Sequence, residues 1–183
     1  MNKVRFIIPT LEMEAQALAF KQSFFDHNET TINGSYLLDS EKYTYEAWID
    51  LMDRNRHEET ADPRFGVSDT YFAADDEGEL VGILNIRYTL TEFYKDSGHI
   101  GYSVVPQERQ KGYATQMLRK ALDICREKGM KEVKLVCSSD NIASRRTIMN
   151  CGGAVSRIFF KETDCYAEYV IDLYDGILTQ YQP

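Results

Sequence analysis

Long apolar runs are the first thing this chain of 183 residues lacks. Its longest, such as Val4–Pro9 interrupted by Arg5, fall far below the roughly 20 residues that cross a bilayer. The opening Met1-Asn2-Lys3-Val4-Arg5-Phe6-Ile7-Ile8-Pro9 also lacks the apolar length and cleavage site of a secretory signal, and reads as a strand. A cytoplasmic protein with no membrane partner is expected. Cysteine is scarce: Cys125, Cys137, Cys151 and Cys165 lie far apart with no short paired spacing. That pattern predicts reduced, mostly buried thiols and no metal site. Positive charge is short as well, with 21 Lys and Arg against 29 Asp and Glu and a net charge of −8. A phosphate backbone needs a basic face, so nucleic acid is not an expected partner. Repeats, low-complexity tracts and linkers are missing too, which leaves nothing to divide the chain. With 43% hydrophobic and 27% charged residues, the composition is that of one globular domain with a substantial core, over residues 1–183.

What is present reads as alternating elements. Val4–Ile8 is a strand ended by Pro9, after which Thr10 can cap a helix with Glu12 and Glu14 in its first turn. Met13, Ala17, Phe20 and Phe24 recur there at helical spacing. A polar loop holding Asn33-Gly34 runs from Asp26 to Ser40. Tyr45, Trp48, Ile49 and Met52 then mark a second helix from Glu41 to about Asn55. This region carries Asp39, Glu41, Glu46, Asp50, Asp53, Glu58, Glu59 and Asp62, which form either a solvated face or an acidic wall beside a pocket.

Thr70–Ala74 and Leu80–Tyr88 make a hairpin around Asp75–Glu79. The loop Thr89–Gly98 leads to a strand, His99–Val105. Ala114, Met117, Leu118, Ala121, Leu122 and Cys125 form the apolar stripe of a third helix that ends near Gly129. A strand, Glu132–Cys137, is followed by a loop, Ser138–Asn141, that caps a helix, Ile142–Asn150. Ala154–Lys161 and Tyr166–Leu173 pair as a final hairpin, and the polar tail Asp175–Pro183 is expected to be marginally ordered. His99 to Cys137 is a βαβ unit, which implies parallel strands around a right-handed crossover. The expected fold class is therefore α/β (mixed α+β), with a central mixed, mostly antiparallel sheet, one βαβ crossover, and helices on both faces.

The stretch from Val104 to Thr115 organises the rest. An apolar strand ends at Pro106, a short polar turn with Gly112 follows, and the amphipathic helix starts at once. The first N–H groups of such a helix have no partner within it and carry the positive end of the macrodipole, which suits phosphate. Arg109 and Lys111 add positive charge beside it.

Arg109-Gln110-Lys111-Gly112-Tyr113-Ala114 fits Arg/Gln-x-x-Gly-x-Gly/Ala. Together with Asn141-x-x-Ser144 before a helix stopped by Gly152, and with the order of elements, it resembles the GNAT family of N-acetyltransferases. Gly98-His99-Ile100-Gly101-Tyr102 leading into the motif is similar to a bacterial subgroup of that family. The resemblance implies a single GNAT-like domain that binds acetyl-CoA and passes its acetyl group to an amine acceptor. Backbone N–H groups of Gln110, Lys111, Gly112, Tyr113, Ala114 and Thr115 are implied to hold the pyrophosphate. Gly112 and the small Ala114 would let the backbone come close. Ser103, Val104 and Val105 are implied to pair with the pantetheine arm as an added strand, and Asn141 and Ser144 to touch the same arm. For the last two, a helix cap and a helix-face hydroxyl are the alternatives.

Direct attack of an amine on a thioester is helped by a base and by an acid for the leaving thiolate. Many relatives place a tyrosine seven residues after the Asn. Here that position is Ile148. The substitutes are His99 and Tyr102 on the strand before the motif and Glu92 in the preceding loop, with Tyr166 as a further candidate. His99, with an ordinary pKa of about 6.5, suits a base near neutrality. The acidic first helices favour a cationic acceptor, and the C-terminal edge strands could pair into a homodimer. Two other functions fit less of the chain. A non-catalytic acyl-CoA-binding regulatory module would keep the phosphate site and drop the proton chemistry. An unrelated nucleotide-binding domain would need a Walker or Gly-x-Gly-x-x-Gly signature that is not there.

Overall fold

The computed structural model describes residues 3–174; the expectation for the tail 175–183 lies outside them. β1 (Arg5–Ile7) leads through a 3-10 turn, Leu11–Met13, into α1 (Glu14–Phe25). Thr10 makes no side-chain cap to that turn. Ala17, Phe20 and Phe24 form the buried stripe of α1, as their spacing predicts. The polar loop that follows is sharply bent, with left-handed residues at Asn28, Gly34, Tyr36 and Leu37. α2 (Tyr45–Asn55) begins later than its apolar spacing alone suggests. The reason is local: Thr44 Oγ1 accepts the Ala47 N–H at 3.2 Å, which fixes the start. Trp48 is buried and donates Nε1–H to the carbonyls of Ser35 and Tyr36 at 3.1 and 3.0 Å, so α2 is pinned to the loop before it.

β2 (Ser68–Ala74), β3 (Leu80–Arg87) and β4 (Ile100–Val104) follow, then α3 (Tyr113–Glu127), β5 (Glu132–Ser138), α4 (Ile142–Asn150), β6 (Ala154–Lys161) and β7 (Asp164–Asp172). The strands form two sheets, β1-β2-β3-β4 and β5-β7-β6, and every paired neighbour within them is antiparallel. α1 and α2 cover one face of the first sheet through Phe20, Trp48, Phe72 and Ile83. The other face packs on α3, whose buried Tyr113, Met117, Leu118, Ala121, Leu122 and Cys125 join a core continuing into β5 and β7. Each large side chain so buried contributes roughly 1.5–3 kcal/mol. Docking of α3 thus fixes where its N-terminus sits.

The fold class is the expected one, but one detail of the sheet is corrected. The crossover β4–α3–β5 does not join its two strands as parallel neighbours. Among the described residues, the two sheets meet at one antiparallel bridge between Gly98 and Leu135. There the His99 N–H donates to the Lys134 carbonyl at 2.7 Å. Past that splice, no strand pairs with the second edge of β4 among the described residues.

Candidate functional site

The open edge of β4 runs straight into the turn the motif predicted. Pro106–Glu108 is one turn of 3-10 helix, with the Glu108 N–H on the Val105 carbonyl at 2.8 Å. Gln110 and Gly112 are then left-handed, with φ of 65° and 84°, and swing the chain into α3. For Gln110, a residue with a Cβ, that conformation costs about 1–2 kcal/mol. Gln110, Lys111 and Gly112 are exposed, and Gly112 occupies the N-cap position without any side-chain cap. The first N–H groups of α3, from Tyr113 on, have no carbonyl of their own helix to take. A Cβ-free left-handed residue, a small Ala114 and an uncapped helix start make a surface that fits a phosphate group.

The two expected cations point elsewhere. The Arg109 guanidinium forks onto Glu29 with both bonds at 2.7 Å, and its Nε donates to the Val104 carbonyl at 3.1 Å. Lys111 pairs with Glu108 at 2.8 Å. Arg109 ties the end of α1 to the junction, and the anion-binding character rests on the backbone.

β4 presents alternate residues to opposite faces. Tyr102 faces α4, its hydroxyl 3.1 Å from Ser144 Oγ. Burial pushes its pKa up to about 12, so the phenol stays protonated through neutral pH. Ser144 is placed by the cap of α4, in which Asn141 Oδ1 accepts the Ser144 N–H at 3.0 Å. Asn141 and Ser144 therefore both have the structural roles given as alternatives, at the helix end that faces β4. Gly101 and Ser103 face the other way, where Ser103 Oγ donates to the Asn33 carbonyl at 2.9 Å. A Cβ at Gly34 would stand 2.3 Å from the Gly101 carbonyl oxygen. Two backbones touch there with no side chain between them.

The remaining proton-transfer candidates do not gather with Tyr102. His99 Nδ1 accepts the Lys134 N–H at 2.9 Å, which leaves the proton of the neutral ring on Nε2. Burial first, then the Lys134 charge, lower its pKa to about 4. The ring splices the two sheets. Glu92 is exposed and paired with Lys95, and Tyr166 stacks on Phe159 across the β6–β7 hairpin. Ile148 is buried in the core. The acidic residues of α2 point outward, with Glu46, Asp50 and Asp53 exposed. Asp39 turns in to the Ile32 N–H and the Ser35 hydroxyl, and Asp62 pairs with Arg64. They form a solvated face, not a wall.

The Acetyltransferase (GNAT) family profile matches residues 34–152. The chain belongs to the GNAT acetyltransferase family. That match runs from Gly34, which touches Gly101 on β4, to Gly152, just past the end of α4. The uncharacterized protein YxbD of Bacillus subtilis (strain 168) is 32% identical over 91 residues, or 50% of this chain and 54% of YxbD; the match spans about half of that relative. Among solved GNAT structures, the microcin C7 self-immunity acetyltransferase MccE, in complex with acetyl-CoA and AMP, has a TM-score of 0.69 at 14% identity, covering 93% of this chain and 92% of its own. The spermidine/spermine N-acetyltransferase SpeG of Vibrio cholerae gives 0.66 at 13% identity, covering 98% and 99%. YncA of Salmonella typhimurium, solved with its cofactor acetyl-CoA, gives 0.65 at 13%, covering 95% of each chain. Likeness at these identities shows the GNAT fold.

One polar group on the sheet face covered by α1 and α2 was not singled out from the sequence. Asn85 and Arg87 stand two residues apart on β3, on the face that carries Ile83. The signal was available: two polar residues at alternate positions of an otherwise apolar strand.

Proposed function

We propose that the protein moves an acetyl group from acetyl-CoA to a primary amine by direct attack within a ternary complex. One observation carries this reading: the unpaired edge of β4 leads without interruption into the uncapped, left-handed start of α3. Acetyl-CoA supplies the activated thioester. The N–H groups of Gln110 to Thr115 hold its pyrophosphate, and the open edge of β4 as far as Val104 offers main-chain hydrogen bonds to its amide-bearing arm. Val105 is engaged by the Val81 carbonyl and the Glu108 N–H. Asn141 and Ser144 border the arm. Tyr102 is the proton donor this geometry supports, because its hydroxyl keeps its proton and sits where β4 meets α4. His99 and Glu92 are engaged elsewhere and take no proton-transfer role in this reading. That MccE and YncA were solved with acetyl-CoA, and that SpeG is an N-acetyltransferase of spermidine and spermine, supports the cofactor and the amine acceptor. Four free cysteines support a reducing, cytoplasmic setting.

A non-catalytic acyl-CoA-binding role has one observation in its favour, the buried Ile148 at the position where many relatives carry tyrosine. Release of free CoA with a panel of amines separates the two readings. For the wild type, amine-dependent release is expected. Gly112→Glu should abolish CoA binding by calorimetry while the domain stays folded, its stability lowered by about 1–2 kcal/mol of left-handed strain. Tyr102→Phe should keep CoA affinity and lose about 100-fold in kcat. Wild-type CoA affinity in Gly112→Glu would overturn the cradle, and full kcat in Tyr102→Phe would remove the acid.

A further inference from the structure

Arg87 lies on the face of β3 that carries Ile83, the face covered by α1 and α2. Its Nη1 donates to the Gly98 carbonyl at 2.8 Å, and its guanidinium carbon lies 4.2 Å from the centroid of the Tyr94 ring. Nη2 is close to Gly101, 3.6 Å from where a Cβ there would stand. No carboxylate pairs with it among the described residues. Nε is buried and finds no hydrogen-bond partner among them, and neither does Oδ1 of Asn85. Asn85 is fully buried, opposite Gly101 in the β3–β4 register, with its Nδ2 on Thr70 Oγ1 at 3.0 Å. A cation taken out of water without a counter-charge is costly, and a ring face and one carbonyl offset that cost in part only. Burial lowers the Arg87 pKa from its ordinary value, as expected of a charge without its partner. The exposed acids of α2 are no substitute, since they face solvent on the far side of that helix.

We infer that Arg87 selects an acceptor that carries, besides its amine, an anionic group, carboxylate or phosphate. The guanidinium fork matches a planar carboxylate or a phosphate in two bonds. This reverses the cationic preference that the acidic first helices implied. It rests on the acetyl-transfer reading, and it deepens that reading by naming the acceptor's class. Arg87 is also a clamp for the Thr89–Gly98 loop, through Gly98 and Tyr94, and the test must tell a clamp from a specificity residue.

Free amino acids against their amides, and phosphoethanolamine against ethanolamine, are matched probes for CoA release; the two pairs distinguish carboxylate from phosphate. The wild type is expected to prefer one acid over its neutral partner by about 10- to 100-fold in kcat/KM. In Arg87→Met that preference should vanish through KM, with CoA affinity intact by calorimetry. Arg87→Lys should restore part of it, because charge is kept and the fork is lost. Equal loss on acids and neutral partners in both variants is the signature of a clamp and overturns the proposal, as does a wild type that prefers spermidine. A second readout needs no turnover: N-acetylated amino acids should raise the melting temperature of the wild type, their amides should not, and Arg87→Met should respond to neither. Acid-specific stabilisation without CoA release would leave the anion site standing and sink acetyl transfer. Charge-blind CoA release with no such stabilisation would do the reverse.

Discussion

At the scale of single residues, the contact of Gly34 with Gly101 sets how closely the loop before α2 sits on β4. Gly34 has a φ of 81°, and a Cβ there would meet the Gly101 carbonyl oxygen at 2.3 Å. Neither partner is a flexible side-chain end that could swing aside. Gly34→Ala should therefore lose about 2–4 kcal/mol of stability, from the left-handed strain and the overlap together. Urea unfolding would show it as a lowered midpoint, and an unchanged midpoint would mean the loop does not sit on β4. Gly112 and Gly34 differ in how they could be read. Gly112 belongs to a short local pattern whose helix follows at once, so its place in the turn was legible. Asn33-Gly34 reads as a turn in any sequence, and its partner lies far along the chain, where no periodicity points. Arg87 was legible only as a polar interruption of an apolar strand. A polar residue in a strand has to be assigned to a face, and only the packed structure shows which face lacks a counter-charge.

Among elements, the link between the two sheets is made by His99 with the backbone of Lys134. The folded pKa of His99, about 4, lies below its ordinary 6.5. The unfolded chain then binds the proton more readily than the folded one does. Stability from this group is complete above pH 6.5 and is lost as the pH falls through that value towards about 4. His99→Asn keeps an acceptor for the Lys134 N–H and removes the titration. It should flatten the fall in melting temperature across that window and leave kcat/KM at pH 7–8 near wild type. A variant that melts normally yet loses most of its kcat/KM would restore His99 as the base. The elements themselves were largely legible, since Ala17, Phe20, Phe24 and the stripe of α3 are buried as their spacing predicts. Their starts were less so. Thr44 begins α2 by a hydrogen bond, and such bonds compete with a pattern that counts apolar positions only.

For the molecule as a whole, strand order was the part misread from the sequence, which implied β4 and β5 as parallel neighbours. Alternation marks a strand without saying which neighbour it takes, and β4 and β5 turned out to part company after Gly98. The second sheet ends in β6, whose Val155, Ile158 and Phe160 are 53%, 64% and 71% exposed. A row of apolar side chains on an outer strand is what pairing between copies needs, and it supports the homodimer reading. Light scattering should then give about twice 21.1 kDa for the wild type and a single chain's mass for Phe160→Lys. A wild type at 21.1 kDa would end that reading.

The glycine contact bears on more than the seating of that loop. A strand with one buried face is usually kept in register by its apolar side chains, because a slip of one residue turns each of them over. On β4 a slip of one residue would bring Tyr102 against Gly34, where a Cβ would already crowd the Gly34 nitrogen at 3.1 Å, and turn Gly101 towards Ser144. The alignment of β4 is thus keyed by a missing side chain. A segment grafted over β4 from another GNAT protein would have to respect that key as well as the buried Ile32 and Ser35 beside it.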